Sequence, residues 1–361
     1  MIITHIVGNR PQFIKLAILQ KQLLSHRADK HIIIHSGQHF DHSMSDIFFD
    51  ELKIPSPDYF LNVNNVSHNE MIGEILKKID PVLEDIKPDC AIVYGDTNTT
   101  LAGAIAAKKR KIFLAHIEAG VRTFDEEMPE ETNRYLTDRI ADMNFACTYL
   151  GVENLKKEGF FSGNIHSSVF NCGDLMLDAT LLFKDAALQG SHILQQMGIE
   201  RENFILATIH RVENTKNIHS LQNIIAALNL INQQTPVIFP VHPKTKKIIE
   251  ENKITVEVKI CEPLGYLDML TLTQSGKAVI TDSGGLSREG FFFKKATLVI
   301  MKKPFWPEIF EHGNCVQSSA IKDEIISSFN TLLQTDKLFN INIFGDGNAA
   351  KKISDKIHQH F

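Results

Sequence analysis

Alternation is the strongest constraint on this chain: apolar runs of strand length take turns with amphipathic segments. "IITHIV" is followed by a predicted helix from about Gln12 to Ser25, "HIIIHSG" by a segment over 43–53, and "CAIVYGD" by a helix from Thr99. Strands that alternate with helices imply a parallel sheet covered by helices on its faces. The pattern runs on through "IFLAHIEAG", a helix near 131–141 and "MNFACT". It restarts at "NFILATIHR", followed by a helix over 217–233, "VIFPVHP", "VKICEPLGY", "AVITDSGG" and "ATLVIM". Two α/β units in series are the simplest reading.

A length of 361 residues fits two domains at roughly 150 residues each, and either could bury a sizeable core. Gly159, Gly163, Gly173 and Gly190 punctuate residues 155–200 without a low-complexity tract, which predicts a short hinge near 165–178. No repeat of solenoid period is present. Ligands of open parallel sheets bind at the carboxyl ends of strands, and paired α/β domains place a site in the cleft between them. Functional residues should therefore follow strands closely.

Composition excludes several classes of function. An apolar fraction of 43% and a charged fraction of 22% belong to soluble globular chains, and no apolar run approaches the roughly 20 residues that span a bilayer. Five cysteines, widely spaced and without Cys-x-x-Cys, argue against a disulfide framework or a structural zinc site. Net charge of −5 disfavours nucleic acid and anionic membranes as partners, while leaving room for a local basic pocket that takes one phosphorylated ligand. "MIITHIVG" has no basic lead-in and no small-residue cleavage site, so no signal peptide is expected and a cytoplasmic location is.

The motifs do follow strands. "IVGNRPQFIK" is a strand and a glycine turn, then Arg10 and Lys15 around a helix start marked by Pro11; cations beside free helix amides suit a phosphate. "VITDSGGLSREG" is a buried strand, then Thr281, Asp282, Ser283, Gly284 and Gly285 opening a helix, where backbone amides converge on an anion and glycine permits close approach. Glu289 lies further along that helix, in reach of a hydroxyl-bearing ligand part such as a ribose. "CAIVYGDTNTT" ends on Asp96, with Thr97, Asn98 and Thr99 as further capping residues.

"HIEAGVRTFDEEMPEETNR", residues 116–134, concentrates carboxylates after a strand. It puts His116 and Glu118 at the strand end and Glu130 and Glu131 beside Pro129, where acids complement the positive end of a helix dipole. "ATIHRVEN" and "FPVHPKT" put His210, Arg211, His242 and Lys244 at strand ends of the second series. Taken singly, each has a plain structural use: Arg10 and Lys15 as solvated charges, Asp96 as a cap, Glu130 and Glu131 as helix-start acids, the histidines as structural groups. Together they set carboxylates in one half against a phosphate site with His210 in the other, and carboxylates held close gain the raised pKa values that proton transfer uses. No metal is expected: His39 and His42 share a polar loop, but there is no His-Glu-x-x-His and no Asp-x-Asp to hold a metal against a diphosphate.

"GNRPQFIK", "SGQHFD", "PDYFL", "VYGDTNTTLAGAIAA", "HIEAGVRTFDEEMPEETNR", "HRVEN", "HPKT", "PLGYLDM", "TDSGGLSREG" and "WPE" follow one another in an order that resembles the non-hydrolysing UDP-N-acetylglucosamine 2-epimerases. The resemblance implies two Rossmann-like domains facing a cleft, of the glycosyltransferase-B type, over 1–170 and 171–345, with a terminal helix over 346–361 crossing back. It implies a homodimer that acts on a UDP-sugar without a cofactor. The chemistry implied removes the C2 proton and expels UDP to leave a 2-acetamidoglucal, then re-adds UDP with a proton on the opposite face. By that resemblance Asp96, Glu118 and Glu130 are the acid/base set and His210 assists departure of the diphosphate. Arg10, Lys15, Arg134, Ser283, Gly284 and Gly285 hold phosphates, Glu289 takes the ribose, and Gln38, His39, Arg211 and His242 join the substrate contacts. Asp125, Glu126, Glu127 and Glu131 are left as loop and helix-start charges.

One stretch departs from that pattern. "MKKPFWPE" has Met301 where the family carries Arg, Lys302 where it carries an acid, and Pro304-Phe305 where it carries Thr-Glu. "RPQFIK", "QHFDHSM" and "NNVSHNEM" look more like the branch acting on UDP-2,3-diacetamido-glucuronate, where an added positive group could meet the sugar carboxylate. A glycosyltransferase of the same fold, or a UDP-sugar-binding homologue without activity, are the alternatives. In regulated members a second substrate molecule acts through an Arg after the "PDY" stretch; only Ser67 or His68 lies near here, so weak or absent activation is implied.

Overall fold

A computed structural model describes residues 1–25, 29–38, 48–312, 315–335 and 341–361. The chain forms two compact units, Met1–Leu181 with Asn342–Phe361, and Leu182–Ile341. The first holds strands β1 (Ile2–Val7), β2 (Lys30–His35), β3 (Tyr59–Phe60), β4 (Cys90–Tyr94), β5 (Phe113–Ala119), β6 (Met143–Ala146) and β7 (Ser168–Asn171) in the order 3-2-1-4-5-6-7, every pairing parallel. Helices α1 (Arg10–Leu23), α2 (His68–Ile86), α3 (Asn98–Lys109), α4 (Pro129–Ile140), α5 (Tyr149–Lys157) and α6 (Leu175–Gly190) follow in chain order. The second unit holds β8 (Ile205–Thr208), β9 (Val237–Pro240), β10 (Lys259–Cys261), β11 (Ala278–Thr281), β12 (Ala296–Ile300) and β13 (Cys315–Ser318) in the order 10-9-8-11-12-13. Its α7 (Ile218–Asn232), α8 (Pro243–Glu251) and α9 (Gly284–Phe292) bear on the site, and α10 (Ala349–His360) belongs to the first unit.

Local chemistry sets where these elements begin. Asn9 caps α1 in a reciprocal capping box with Gln12, so the helix opens at Arg10, before the expected Gln12, and closes at Leu23. Thr97, with its hydroxyl accepting from the Thr100 amide at 3.3 Å, caps α3, so the plain capping use of Asp96 is not the one the chain makes. The helix expected near 131–141 opens at Pro129, which needs no amide partner in the first turn. In the segment expected over 43–53, residues 48–52 are helical and 43–47 lie outside the described residues.

Sequence reasoning passed over α2. Its signal is present, with Ser67 as cap and Met71, Ile75, Ile79 and Leu83 at four-residue spacing, all buried. Each such side chain contributes roughly 1.5–3 kcal/mol on burial. They pack with Ile6, Val93 and Ala102 into one cluster, while Ile205, Leu228, Phe239, Ile280 and Leu298 anchor the core of the second unit. All five cysteines are free thiols. Among the described residues no helix is long and apolar enough to cross a membrane.

His5 and His35 lie within the first unit's core. His5 Nδ1 is 2.7 Å from the Tyr94 hydroxyl and its Nε2 is 3.1 Å from His31 Nδ1. Burial, reinforced by His31, pushes the His5 pKa down to about 3, and burial pushes His35 down to about 4. Both stay neutral in the fold at pH values where an unfolded chain would already protonate them, so their stabilising contribution is whole above about pH 6.5 and drains as pH falls toward those lower values. Each adds a slope of at most about 1.4 kcal/mol per pH unit within its window. Urea midpoints should therefore fall between about pH 6.5 and pH 5, and less steeply in His5→Gln. An unchanged slope in that variant would contradict a neutral buried His5.

Candidate active site

Strand order reverses between β1 and β4 in the first sheet and between β8 and β11 in the second, and at such points the loops beyond the strands part to leave room for a ligand. The loop after β4 carries Asp96. Gly95 takes a φ of +62, its amide donates to the Ile117 carbonyl at 2.8 Å, and a Cβ built on it would stand 3.6 Å from both Glu118 Oε1 and Lys15 Nζ. The turn thus brings Asp96 beside the end of β5.

Arg134 of α4 grips one Asp96 oxygen, through Nε at 2.9 Å and Nη2 at 2.5 Å, while Asn133 Nδ2 donates to the Asp96 carbonyl at 2.9 Å. Arg134 Nη1 donates to Glu131, one helical turn back. Burial works against the guanidinium charge and Asp96 with Glu131 outweigh it, so the Arg134 pKa is raised. Arg134, read from sequence as a phosphate ligand, is placed between carboxylates. Glu131, read as a helix-start charge, does stand in the first turn of α4 but is also buried. It accepts from the Thr123 and Phe124 amides at 3.2 and 2.9 Å and from the Thr123 hydroxyl at 3.0 Å, fastening the loop before α4. Glu130 beside it is half-buried.

Glu118 has a φ of 73 at a register shift between β5 and β6. A non-glycine residue held there costs on the order of 1–3 kcal/mol and such strain gathers at functional sites. Its Oε2 lies 2.7 Å from Lys15 Nζ, an ammonium almost wholly buried on α1, which favours the ionised carboxylate. Cys147 Sγ and an Asp174 oxygen approach Glu118 within 4.8 Å, a grouping sequence reasoning missed; the Glu118 charge there is already met by Lys15, and Asp174 accepts from the Met176 amide at 2.8 Å. Arg10 lies 4.9 Å from the centre of the Phe48 ring. Gln38 Oε1 accepts from the Thr99 amide and hydroxyl at 3.0 and 2.7 Å. His39 falls outside the described residues. Ser67 caps α2, and His68 Nδ1 lies 3.2 Å from Asn98 Nδ2.

In the second unit Asp282 organises the site, and sequence reasoning gave it no role. Wholly buried, it accepts from the His210 and Arg211 amides at 3.0 and 2.9 Å and from Asn214 Nδ2 at 3.1 Å. Its Oδ1 lies 3.5 Å from His210 Nδ1, and the His210 side chain is exposed. His242 stands with its ring centre 6.4 Å from that of His210 and caps α8 by accepting from the Lys244 amide at 3.2 Å. Ser283 caps α9, so the amides of Gly284 and Gly285 lie in the first turn, where no intrahelical partner exists. The Phe305 ring covers Gly284 so closely that a Cβ built there would meet it at 2.7 Å, and Arg211 stacks 4.8 Å from the same ring. Trp306 Nε1 donates to the Gly284 carbonyl at 3.0 Å and Glu289 is buried on α9. Phe305, one of the departures noted above, thus shapes the start of α9.

Comparison with known proteins identifies the family. The profile of a family described as UDP-N-acetylglucosamine 2-epimerase matches residues 21–358. A UDP-2,3-diacetamido-2,3-dideoxy-D-glucuronate 2-epimerase of Pseudomonas aeruginosa is 41% identical over 356 residues, covering 98% of this chain and 99% of its own. A UDP-N-acetylglucosamine 2-epimerase homolog of Methanococcus maripaludis is 42% identical over 360 residues, covering 98% of each. The crystal structure of Methanocaldococcus jannaschii UDP-GlcNAc 2-epimerase with UDP-GlcNAc and UDP is similar with a TM-score of 0.92 at 35% identity, over 100% of both chains. With a family profile over most of its length and relatives of that identity over nearly all of it, the chain belongs to the UDP-N-acetylglucosamine 2-epimerase family.

Proposed function

We propose that this chain inverts C2 of a UDP-2-acetamido sugar, converting UDP-N-acetylglucosamine to UDP-N-acetylmannosamine, as a cytoplasmic homodimer that supplies polysaccharide synthesis. The observation that carries the reading is Glu118: a carboxylate on strained backbone, paired with the Lys15 ammonium at 2.7 Å and set beside the Asp96 turn. A hydrogen on C2 is weakly acidic, and its removal needs an ionised carboxylate held in place. In this reading a carboxylate takes the C2 proton as the bond from C1 to the β-phosphate oxygen breaks, giving a C1–C2 double bond and free UDP. Re-addition then reverses both steps with a proton from another carboxylate on the opposite face. Asp96, Glu118 and Glu130 share those transfers, His210 offers a proton to the departing diphosphate, and the first amides of α9 with the Ser283 hydroxyl stabilise its charge.

A second reading, the 2-epimerase of UDP-2,3-diacetamido-glucuronate, is favoured by exposed Lys302 and Lys303, cations that suit a sugar carboxylate, and by the Pseudomonas relative.

Turnover in heavy water should place deuterium at C2 of recovered substrate and product. Asp96→Asn, Glu118→Gln and Glu130→Gln should each slow that exchange roughly 10²–10⁴-fold while UDP affinity stays within about threefold. Absence of C2 exchange with every UDP-2-acetamido sugar would sink the proposal. Gly284→Ala, which drives a methyl group into Phe305, should weaken UDP binding about tenfold or more, equivalent to about 1.4 kcal/mol; calorimetry showing native affinity would remove α9 from the nucleotide site. For the second reading, kcat/KM should favour the glucuronate over UDP-N-acetylglucosamine, and Lys302→Ala with Lys303→Ala should erase the preference.

A further inference from the structure

Behind the two carboxylate-bearing turns lies a charged cluster that the proposed chemistry does not use. His116 is wholly buried. Its Nδ1 is 2.7 Å from Asp138 Oδ1 and its Nε2 is 2.7 Å from the Gly95 carbonyl oxygen. The other Asp138 oxygen accepts from the Gly120 amide at 3.1 Å and from Arg122 Nη2 at 2.7 Å. Arg122 in turn makes a fork with Glu158, at 2.8 Å through both Nε and Nη2, and its guanidinium carbon lies 4.3 Å from the centre of the Tyr135 ring.

A carbonyl oxygen has no proton to give. Neither has Asp138, an anion accepting at both oxygens; burial alone would raise its pKa, but His116 and Arg122 outweigh it and the pKa is lowered. Both ring nitrogens of His116 therefore face partners that only accept, and contacts of 2.7 Å are hydrogen bonds only when each nitrogen carries a proton. The charges then cancel: His116 and Arg122 positive, Asp138 and Glu158 negative, as a buried cluster requires.

We infer that His116 is held as an imidazolium and that, together with Asp138, it acts as a positioning residue that fixes Asp96 and Glu118 relative to each other. One carboxylate holds both turns. Through His116 it holds the carbonyl of Gly95, next to Asp96; directly it holds the amide of Gly120, two residues past Glu118. Both turns depend on left-handed backbone, with φ of +62 at Gly95, 73 at Glu118 and +77 at Gly120. A neutral imidazole would release one of the two bonds, and the turn it held could relax. Misplacing an acid/base group by about 1 Å costs roughly a hundredfold in rate. No contact with substrate is involved, so the penalty falls on turnover and not on binding.

The inference rests on the proposed C2 epimerisation, and its test separates the two. Neutron diffraction from deuterium-exchanged crystals of the full-length wild-type chain at about pH 8 should show deuterons on both ring nitrogens of His116, whatever the chain's activity. One bare nitrogen overturns the inference. If the wild type exchanges C2 in heavy water, His116→Phe should lower kcat about ten- to a hundredfold with KM and UDP affinity within about twofold. His116→Gln, whose amide still donates to the Gly95 carbonyl, should recover at least part of that loss. Asp138→Asn, which removes the charge that favours the imidazolium, should lower kcat in the same way. Native kcat in a folded His116→Phe, or a KM rise that accounts for its whole defect, overturns the inference. A wild type without C2 exchange defeats the proposed function and leaves the diffraction result to judge His116.

Discussion

Parallel pairing of β4 with β1 on one side and β5 on the other decides where the chemistry of the first unit can stand. The register sets Ile6 beside Val93 and Tyr94 beside Ile117, so the chain leaves β1, β4 and β5 at the same edge. From that edge come the capped start of α1, the Asp96 turn and the strained Glu118. The reversal of strand order there forces the helices after β1 and β4 to opposite faces, and backbone amides and side chains are left to line the gap. The second unit repeats the device with β8 and β11, whose parallel register puts the His210 turn beside Asp282.

The two units settle their buried charges differently. In the first, carboxylates answer cations: Lys15 with Glu118, Arg134 with Asp96 and Glu131, Arg122 with Asp138 and Glu158. Fixing an anion by a buried ion pair orients it firmly because any displacement leaves an uncompensated charge. In the second, Asp282 is satisfied mainly by backbone amides and an asparagine. Arg211, next to His210 in that turn, lies 3.6 Å from Glu213 and over the Phe305 ring.

Much of this was legible before any coordinates, because buried parallel strands write themselves as Val and Ile runs and helix starts as Asn, Thr, Ser and Pro. The short edge strands β3, β7 and β13 were not read as strands, since a few residues half in solvent carry little apolar pattern. Of Asp96 and Thr97, both able to cap α3, it is Thr97 that does so, a contest between neighbours that composition does not decide. Asp96, Glu118, Ser283 and His210 could be singled out because each lies at or just past the end of a strand. Asp138, Arg134 and Glu131 sit on one helix and earn their places through partners up to 38 residues away, a relation with no local spacing to betray it. Asp282 was visible in its motif, but its grip on the His210 turn runs across 72 residues.

The return of the chain after Asn342 has its own bearing on synthesis. Asp178 on α6 accepts from the Ala349 and Ala350 amides that open α10, His358 Nε2 lies 2.6 Å from Asp29, and α10 packs against α1. On the ribosome, everything needed for the second unit emerges before the segment that seals the first. The half made earliest must therefore wait, with the α1 face uncovered, for the half made later to finish. A nascent chain halted before residue 342 would carry the whole second unit and an unsealed first one, and the uncovered surface would be what a chaperone meets.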